Sequence, residues 1–121
     1  MSLGVGEGSS GMNLAIDEQD GTTRIRLIGK LDARGADEIE MKFILATKNS
    51  ARVAVDLSEL DYLASMGIRM MVTAGKASAR RGAKLVMFNA SEAVAKVITT
   101  AGLDEVVPLF SDWTAVQVAV A

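Results

Sequence analysis

The chain contains no cysteine and no histidine, and these two absences remove much of the chemistry open to a small protein. No disulfide framework can form, and thiolate or imidazole sites for zinc or iron have no ligands. A Ser-His-Asp triad and a cysteine nucleophile are excluded as well. Aromatic residues are only 4% of the 121 residues although 50% are hydrophobic, so the core has to be assembled from Ala, Val, Ile, Leu and Met. Small aliphatics of this kind suit helices lying close on a sheet. A large excess of charge of one sign is missing too: 13 basic against 15 acidic side chains give a formal net charge of −2. No global basic field is available to gather nucleic-acid phosphates or an acidic membrane surface. No apolar run approaches the roughly 18 residues of a membrane span, and the N-terminus has neither the basic nor the apolar region of a signal peptide. The expectation is a cytoplasmic protein with no nucleic-acid partner and no direct membrane insertion. What is left for chemistry is carboxylates, hydroxyls, lysines and backbone amides, an inventory that leans toward binding or switching.

The length fits one domain. Residues 1–11 are dominated by Gly and Ser without apolar periodicity and read as a flexible tail, with the domain over residues 12–121. The run Gly6-Glu7-Gly8-Ser9-Ser10-Gly11 matches a dinucleotide-binding glycine pattern literally, but no strand precedes it, and the motif acts only between a strand and a helix N-terminus. From Met12 the pattern becomes structured. Leu14 and Ile16 alternate with polar neighbours, Asp20-Gly21 is a hairpin dipeptide, and residues 24–28 alternate again, which predicts two antiparallel strands. A helix is predicted over residues 37–48, a short buried strand over 52–57, and a second helix over 65–81 closed by Gly82. Residues 84–88 read as a strand and residues 91–102 as a third helix. A last strand over 106–110 carries the single proline, and a terminal helix covers 112–120. This order predicts an α/β fold with a mixed, mostly parallel sheet of about five strands and about four helices.

In such sheets, sites collect where strand C-termini meet helix N-termini. The informative junction is the segment linking the third strand to the second helix, where Ser65 stands at the helix start. Two readings fit Ser65. Its hydroxyl is a helix cap, or it accepts a phosphate that the helix dipole and free amides stabilise. On a helical wheel Ile68, Val72, Gly75 and Ala79 form the expected buried stripe, and Arg69, Thr73, Lys76 and Arg80 a solvated flank. Met66, Met70 and Ala77 fall opposite the stripe, either as an apolar docking strip or as side chains buried by a rotated helix. Asp56 and Asp61 flank the same loop and read as a strand-end and a turn carboxylate in preference to a magnesium or acid-base pair. No cofactor, no metal and no catalytic residue is expected.

The segment Gly29-Lys30-Leu31-Asp32-Ala33, then Asp56-Leu57-Ser58 followed by Tyr62-Leu63-Ala64-Ser65-Met66-Gly67-Ile68, resembles the two signature segments of STAS domains, the anti-sigma factor antagonists and their relatives. The likeness runs from about Met12 to the C-terminus and includes Ala101-Gly102-Leu103. It implies a single-domain STAS-like fold and a cytoplasmic protein that binds an anti-sigma factor, a serine kinase with a histidine-kinase-like ATPase fold. That partner would phosphorylate the antagonist at the position matching Ser65, and a PP2C-type phosphatase would reverse the mark. The implied partner surface is the turn carrying Leu31 and Asp32 together with the start of the second helix: Tyr62, Ala64, Met66, Gly67, Arg69 and Met70. The common family signature reads Asp-Ser-Ser-Gly where this chain has Ala64-Ser65-Met66-Gly67. A binding or scaffold subunit of a signalling or lipid-transport complex, without a phosphorylation cycle, is the alternative.

Overall fold

The structure, a computed structural model, describes residues 12–121; the tail expected over residues 1–11 and its glycine pattern lie outside them. Strand β1 (Met12–Gln19) turns at Asp20-Gly21, both with positive φ, into β2 (Thr22–Leu31). Helix α1 (Ala33–Lys48), β3 (Arg52–Leu63), α2 (Ser65–Arg80), β4 (Lys84–Phe88) and α3 (Glu92–Ala101) follow, then a 3-10 turn (Leu103–Glu105), β5 (Leu109–Phe110) and α4 (Trp113–Val120). The five strands lie in the order β1-β2-β3-β4-β5; β1 runs antiparallel to β2 and every other neighbouring pair is parallel. The α/β class and the mixed, mostly parallel sheet are as the sequence predicts.

Alternation along the strands divides the sheet into two faces. Ile25 and Leu27 of β2, Val53, Val55 and Leu57 of β3, and Leu85 and Met87 of β4 point into the larger core, where α1, α2 and α3 bring Ile39, Phe43, Met71, Val94 and Ile98. Ala54, Val86 and Phe88 point the other way, under Val116 and Val120 of α4. Beyond α4 that second face carries polar pairs instead. Arg24 grips Asp17, its ladder partner, through two hydrogen bonds of 3.0 and 2.9 Å, and its guanidinium lies 5.5 Å from the Trp113 ring centroid. The Arg24 hydrogen bond holds the Asp17 carboxyl below the usual carboxylate range, against a small opposing desolvation.

Several element boundaries differ from the sequence expectation, and three of the differences have a clear structural reason. Helix α1 begins at Ala33, not near residue 37, because Asp32 caps it by accepting from the Gly35 amide at 2.8 Å; its acids at 37, 38 and 40 therefore lie beyond the first turn. Strand β3 continues to Leu63 through two register shifts against β2, between Arg26 and Ile28 and between Gly29 and Lys30. Each shift inserts a residue into β3, so Leu57, Leu60 and Leu63 all face the core at a spacing of three. The Asp56 carboxylate accepts from the Ser58 amide at 3.0 Å inside the first bulge. Strand β5 is only two residues long, since Val106 and Val107 complete the turn after α3 and Val107 donates back to the Leu103 carbonyl.

Glycine 67 is where packing leaves no room for a side chain. A Cβ there would stand 2.6 Å from Leu31 Cγ and 2.9 Å from the Leu31 carbonyl. Gly67→Ala is expected to lower stability by about 1–3 kcal/mol in chemical denaturation, the range for forced overpacking; a change below about 0.5 kcal/mol would contradict the contact. The Asp17 pair generates a second, smaller expectation. Its lowered folded value stabilises the fold above the unfolded carboxylate range, and this contribution is lost as pH falls through the folded value. Arg24→Met is expected to flatten the acid limb of stability below about pH 4, by under about 1 kcal/mol because Asp17 is half exposed.

Candidate functional site

Strands β2 and β3 are parallel and end side by side, with Leu31 paired to Leu63. Each passes at once into a helix, so two helix N-termini are delivered to the same end of the sheet. Asp32 caps α1 with its carboxylate. Ala64 caps α2 with backbone only: its carbonyl accepts from Ile68 at 3.1 Å, its amide donates to the Leu31 carbonyl at 3.0 Å, and no side chain closes the end. Ser65 is thus the first helical residue and not the cap. Its side chain is exposed, and its hydroxyl has no hydrogen-bond partner among the described residues. The first amides of α2 stay open beside it, with the positive end of the helix dipole.

The residues expected around Ser65 separate into two groups. Tyr62 (52% exposed), Met66 (44%) and Arg69 stand on the surface, Ala64 is half-buried, and Asp32 is half-buried with its carboxylate engaged as a cap. Leu31, Gly67 and Met70 do not stand on the surface. Leu31 is fully buried under α2, Gly67 is buried against it, and Met70 is 5% exposed in the main core. Helix α2 is rotated from the expected wheel by about one residue: its buried line is Gly67, Met71, Ala74, Gly75 and Ser78, while Ile68 and Val72 only flank the core and Ala79 is exposed. Small residues occupy that line because the helix lies tight against its neighbours; Gly75 does not meet the sheet but Val107, whose Cγ2 would stand 2.7 Å from an added Cβ. Arg69, Thr73, Lys76 and Arg80 form the solvated flank that the wheel predicts.

The rotation opens a groove of about 550 Å³ between α1 and α2, next to Ser65. Met70 is at its floor, Met66 and Arg69 rim it from α2, and Arg34, Asp37 and Glu40 rim it from α1. The α1 contribution is not visible in the sequence read as a helix starting at residue 37; the signal for it is the Asp32 cap, which adds a turn to the helix. Asp56 and Asp61 do not form a pair with this site. Asp56 is buried within β3, 3.8 Å from Arg26 Nε, and Asp61 is exposed on the overhanging end of the same strand.

Comparison with known proteins fits this geometry. The STAS domain family matches residues 13–115. The chain belongs to the STAS family. Within the family, an anti-sigma-B factor antagonist of Listeria monocytogenes is 26% identical over 102 residues, covering 81% of this chain and 90% of the relative. The crystal structure of an anti-sigma factor antagonist from Mycobacterium paratuberculosis superposes with a TM-score of 0.75 at 22% identity, covering 90% of this chain and 93% of that one. The antagonist SpoIIAA, solved in unphosphorylated and phosphorylated forms, gives TM-scores of 0.70 and 0.65 at 20% and 18% identity, over 88% of this chain and 96% and 99% of those chains. The family match runs from the first strand into the start of α4, and among the described residues no helix is long and apolar enough to cross a membrane.

The two methionines at the start of α2 separate core from surface. Met70→Glu is expected to cost about 3 kcal/mol or more, by burying an unpaired carboxylate. Met66→Glu should leave stability unchanged or slightly raised, since an acid in the first turn complements the dipole. Thermal unfolding of the two variants checks this, and equal tolerance of both substitutions would contradict the burial of Met70.

Proposed function

We propose that this STAS protein is an anti-sigma factor antagonist that acts by partner switching, with Ser65 as the phosphoacceptor. One observation carries the reading: Ser65 is exposed, its hydroxyl is unengaged, and it opens α2 beside the surface formed by Tyr62, Met66 and Arg69. The curated relatives named anti-sigma factor antagonists, and a fold neighbour solved in phosphorylated and unphosphorylated forms, support it. On this reading the partner is a cytoplasmic anti-sigma factor that is itself a serine kinase. Its ATP supplies the γ-phosphoryl group: Ser65 Oγ forms the new P–O bond, the bond to the bridging oxygen of ADP breaks, and the serine proton leaves to a base of the kinase. A PP2C-type phosphatase returns the hydroxyl by hydrolysis. The chain itself contributes no catalytic group and no cofactor.

The physical basis of the switch is desolvation. Unmodified Ser65 costs little to cover, and the open amides of α2 offer its oxygen partners. A phosphate at the same place brings nearly two negative charges into the contact. In the free protein the helix end and water solvate that charge; in a closed interface any incomplete pairing is penalised. About 2.7 kcal/mol of such penalty weakens binding a hundredfold.

Ala64 and Met66 favour a second reading, a binding subunit without a phosphorylation cycle, because they replace the acidic and hydroxyl neighbours of the common family signature and leave the helix end without a side-chain cap. Incubation with candidate kinase-type anti-sigma factors, ATP and magnesium, followed by intact-mass measurement, separates the two. The switch predicts one added phosphate that Ser65→Ala abolishes, and a loss of binding in Ser65→Asp of about a hundredfold. No phosphate, with equal binding by Ser65→Asp and the unsubstituted protein, would overturn it in favour of the second reading.

A further inference from the structure

At its other end the α1–α2 groove changes character. A recess of about 350 Å³ between the C-terminal halves of the helices has a floor of Ile44, Ala74 and Ala77, and Lys48, Arg80 and Arg81 on its rim. No acidic side chain lines it. The Ser65 end, by contrast, is rimmed by both signs, Arg34 and Arg69 with Asp37 and Glu40. In a chain with a net charge of −2, this is a local excess of positive charge over an apolar floor.

Cations at helix C-termini are ordinarily accounted for by the carbonyls they neutralise. Arg81 fits that account: its Nη2 donates to the Thr47 carbonyl at 2.8 Å and the Ser50 carbonyl at 3.4 Å, tying the end of α2 to the end of α1. Lys48 and Arg80 stand in the last turns of α1 and α2, where their charge complements the helix dipoles, but among the described residues no hydrogen bond ties either side chain to a carbonyl. Both are exposed, and none of the ion pairs among the described residues involves either of them. Two free cations therefore flank a floor that is apolar and shallow.

We propose that this recess is a second docking site, built for an acidic amphipathic helix of a protein partner. The helical form of the occupant follows from the walls. Both are α-helices, which offer no sheet edge to an extended chain, so a segment entering the groove has to satisfy its own amides. Alanines at 74 and 77 leave space for one or two aliphatic anchors at helical spacing, and the rim selects carboxylates beside those anchors. A membrane surface is the poorer match, because large exposed apolar side chains such as Met41 and Leu45 lie outside this rim and its apolar part is recessed. Ser65 and Arg80 are fifteen residues apart on α2, about 22 Å along the helix, so the site works independently of the phosphoacceptor.

The probe is a synthetic amphipathic helix with leucines on one face and glutamates flanking them; the controls are the same peptide with lysines for the glutamates, and phosphatidylglycerol vesicles. Binding is followed by amide chemical shifts of the full chain and by peptide fluorescence anisotropy. The expected result is binding of the acidic peptide with shifts centred on Thr73 to Ser78, weakened at least about tenfold in Lys48→Glu/Arg80→Glu and by added salt, and unchanged in Ser65→Asp. Thermal unfolding of the charge-reversed protein verifies its fold, and Ala77→Gln, which fills the floor without altering charge, is expected to weaken the peptide as well. No binding, equal binding of the basic peptide, shifts confined to the Ser65 end, or binding of vesicles in place of the peptide would each overturn the proposal. None of these outcomes bears on phosphorylation of Ser65, and loss of the anti-sigma partner in Ser65→Asp with intact peptide binding would leave this site standing.

Discussion

The contact between Leu31 and the first turn of α2 is the constraint on which the functional end of the molecule depends. Leu31 is fully buried, its carbonyl accepts from the Ala64 amide, and its side chain occupies the space a Cβ on Gly67 would need. Because Leu31 is also the last residue of β2 and the neighbour of the α1 cap, one side chain sets the position of both helix starts. With Gly67 held inward, the helical repeat turns Ser65, Met66 and Arg69 outward. The groove between α1 and α2 and the open amides at Ser65 are consequences of the same packing.

Much of the fold is legible in the sequence, and the parts that are not have physical reasons. Asp20-Gly21, Gly82 and Gly102 mark their turns because the backbone there has positive φ, and Asp-Gly or glycine is what such positions select. Strand β3 is hidden beyond residue 57 because its bulges convert a period of two into the three-residue spacing of Leu57, Leu60 and Leu63, which resembles neither a strand nor a helix. The start of α1 is hidden by Gly35, a poor helix former that is present because its Cβ would collide with the Lys30 carbonyl. Of the site, Ser65, Tyr62, Met66 and Arg69 are legible as surface residues. For Met70 the wheel leaves docking and burial both open, and what decides it is the close approach of the small residues Gly67, Ala74 and Ser78, which turns the helix so that Met70 and Met71 are buried beside them.

Charge adds a level that composition conceals. The near balance of 13 basic and 15 acidic residues excludes a global field, yet the groove between α1 and α2 has mixed signs at the Ser65 end and only cations at the other. Elsewhere the sheet compensates its own charges, as Arg24 does with Asp17 and Arg26 with Asp56 and Glu59. On the proposed function, a chain with no cysteine and no histidine presents surfaces to be bound and a hydroxyl to be modified, with the chemistry of modification supplied by others.

The central claim is that charge on Ser65 decides whether the partner binds. The most direct measurement is calorimetric titration of the kinase-type anti-sigma factor with two preparations of the full chain, one unmodified and one carrying phosphoserine installed chemically at position 65. The account predicts tight binding of the first and affinity lower by about a hundredfold or more for the second. Equal affinities would contradict it.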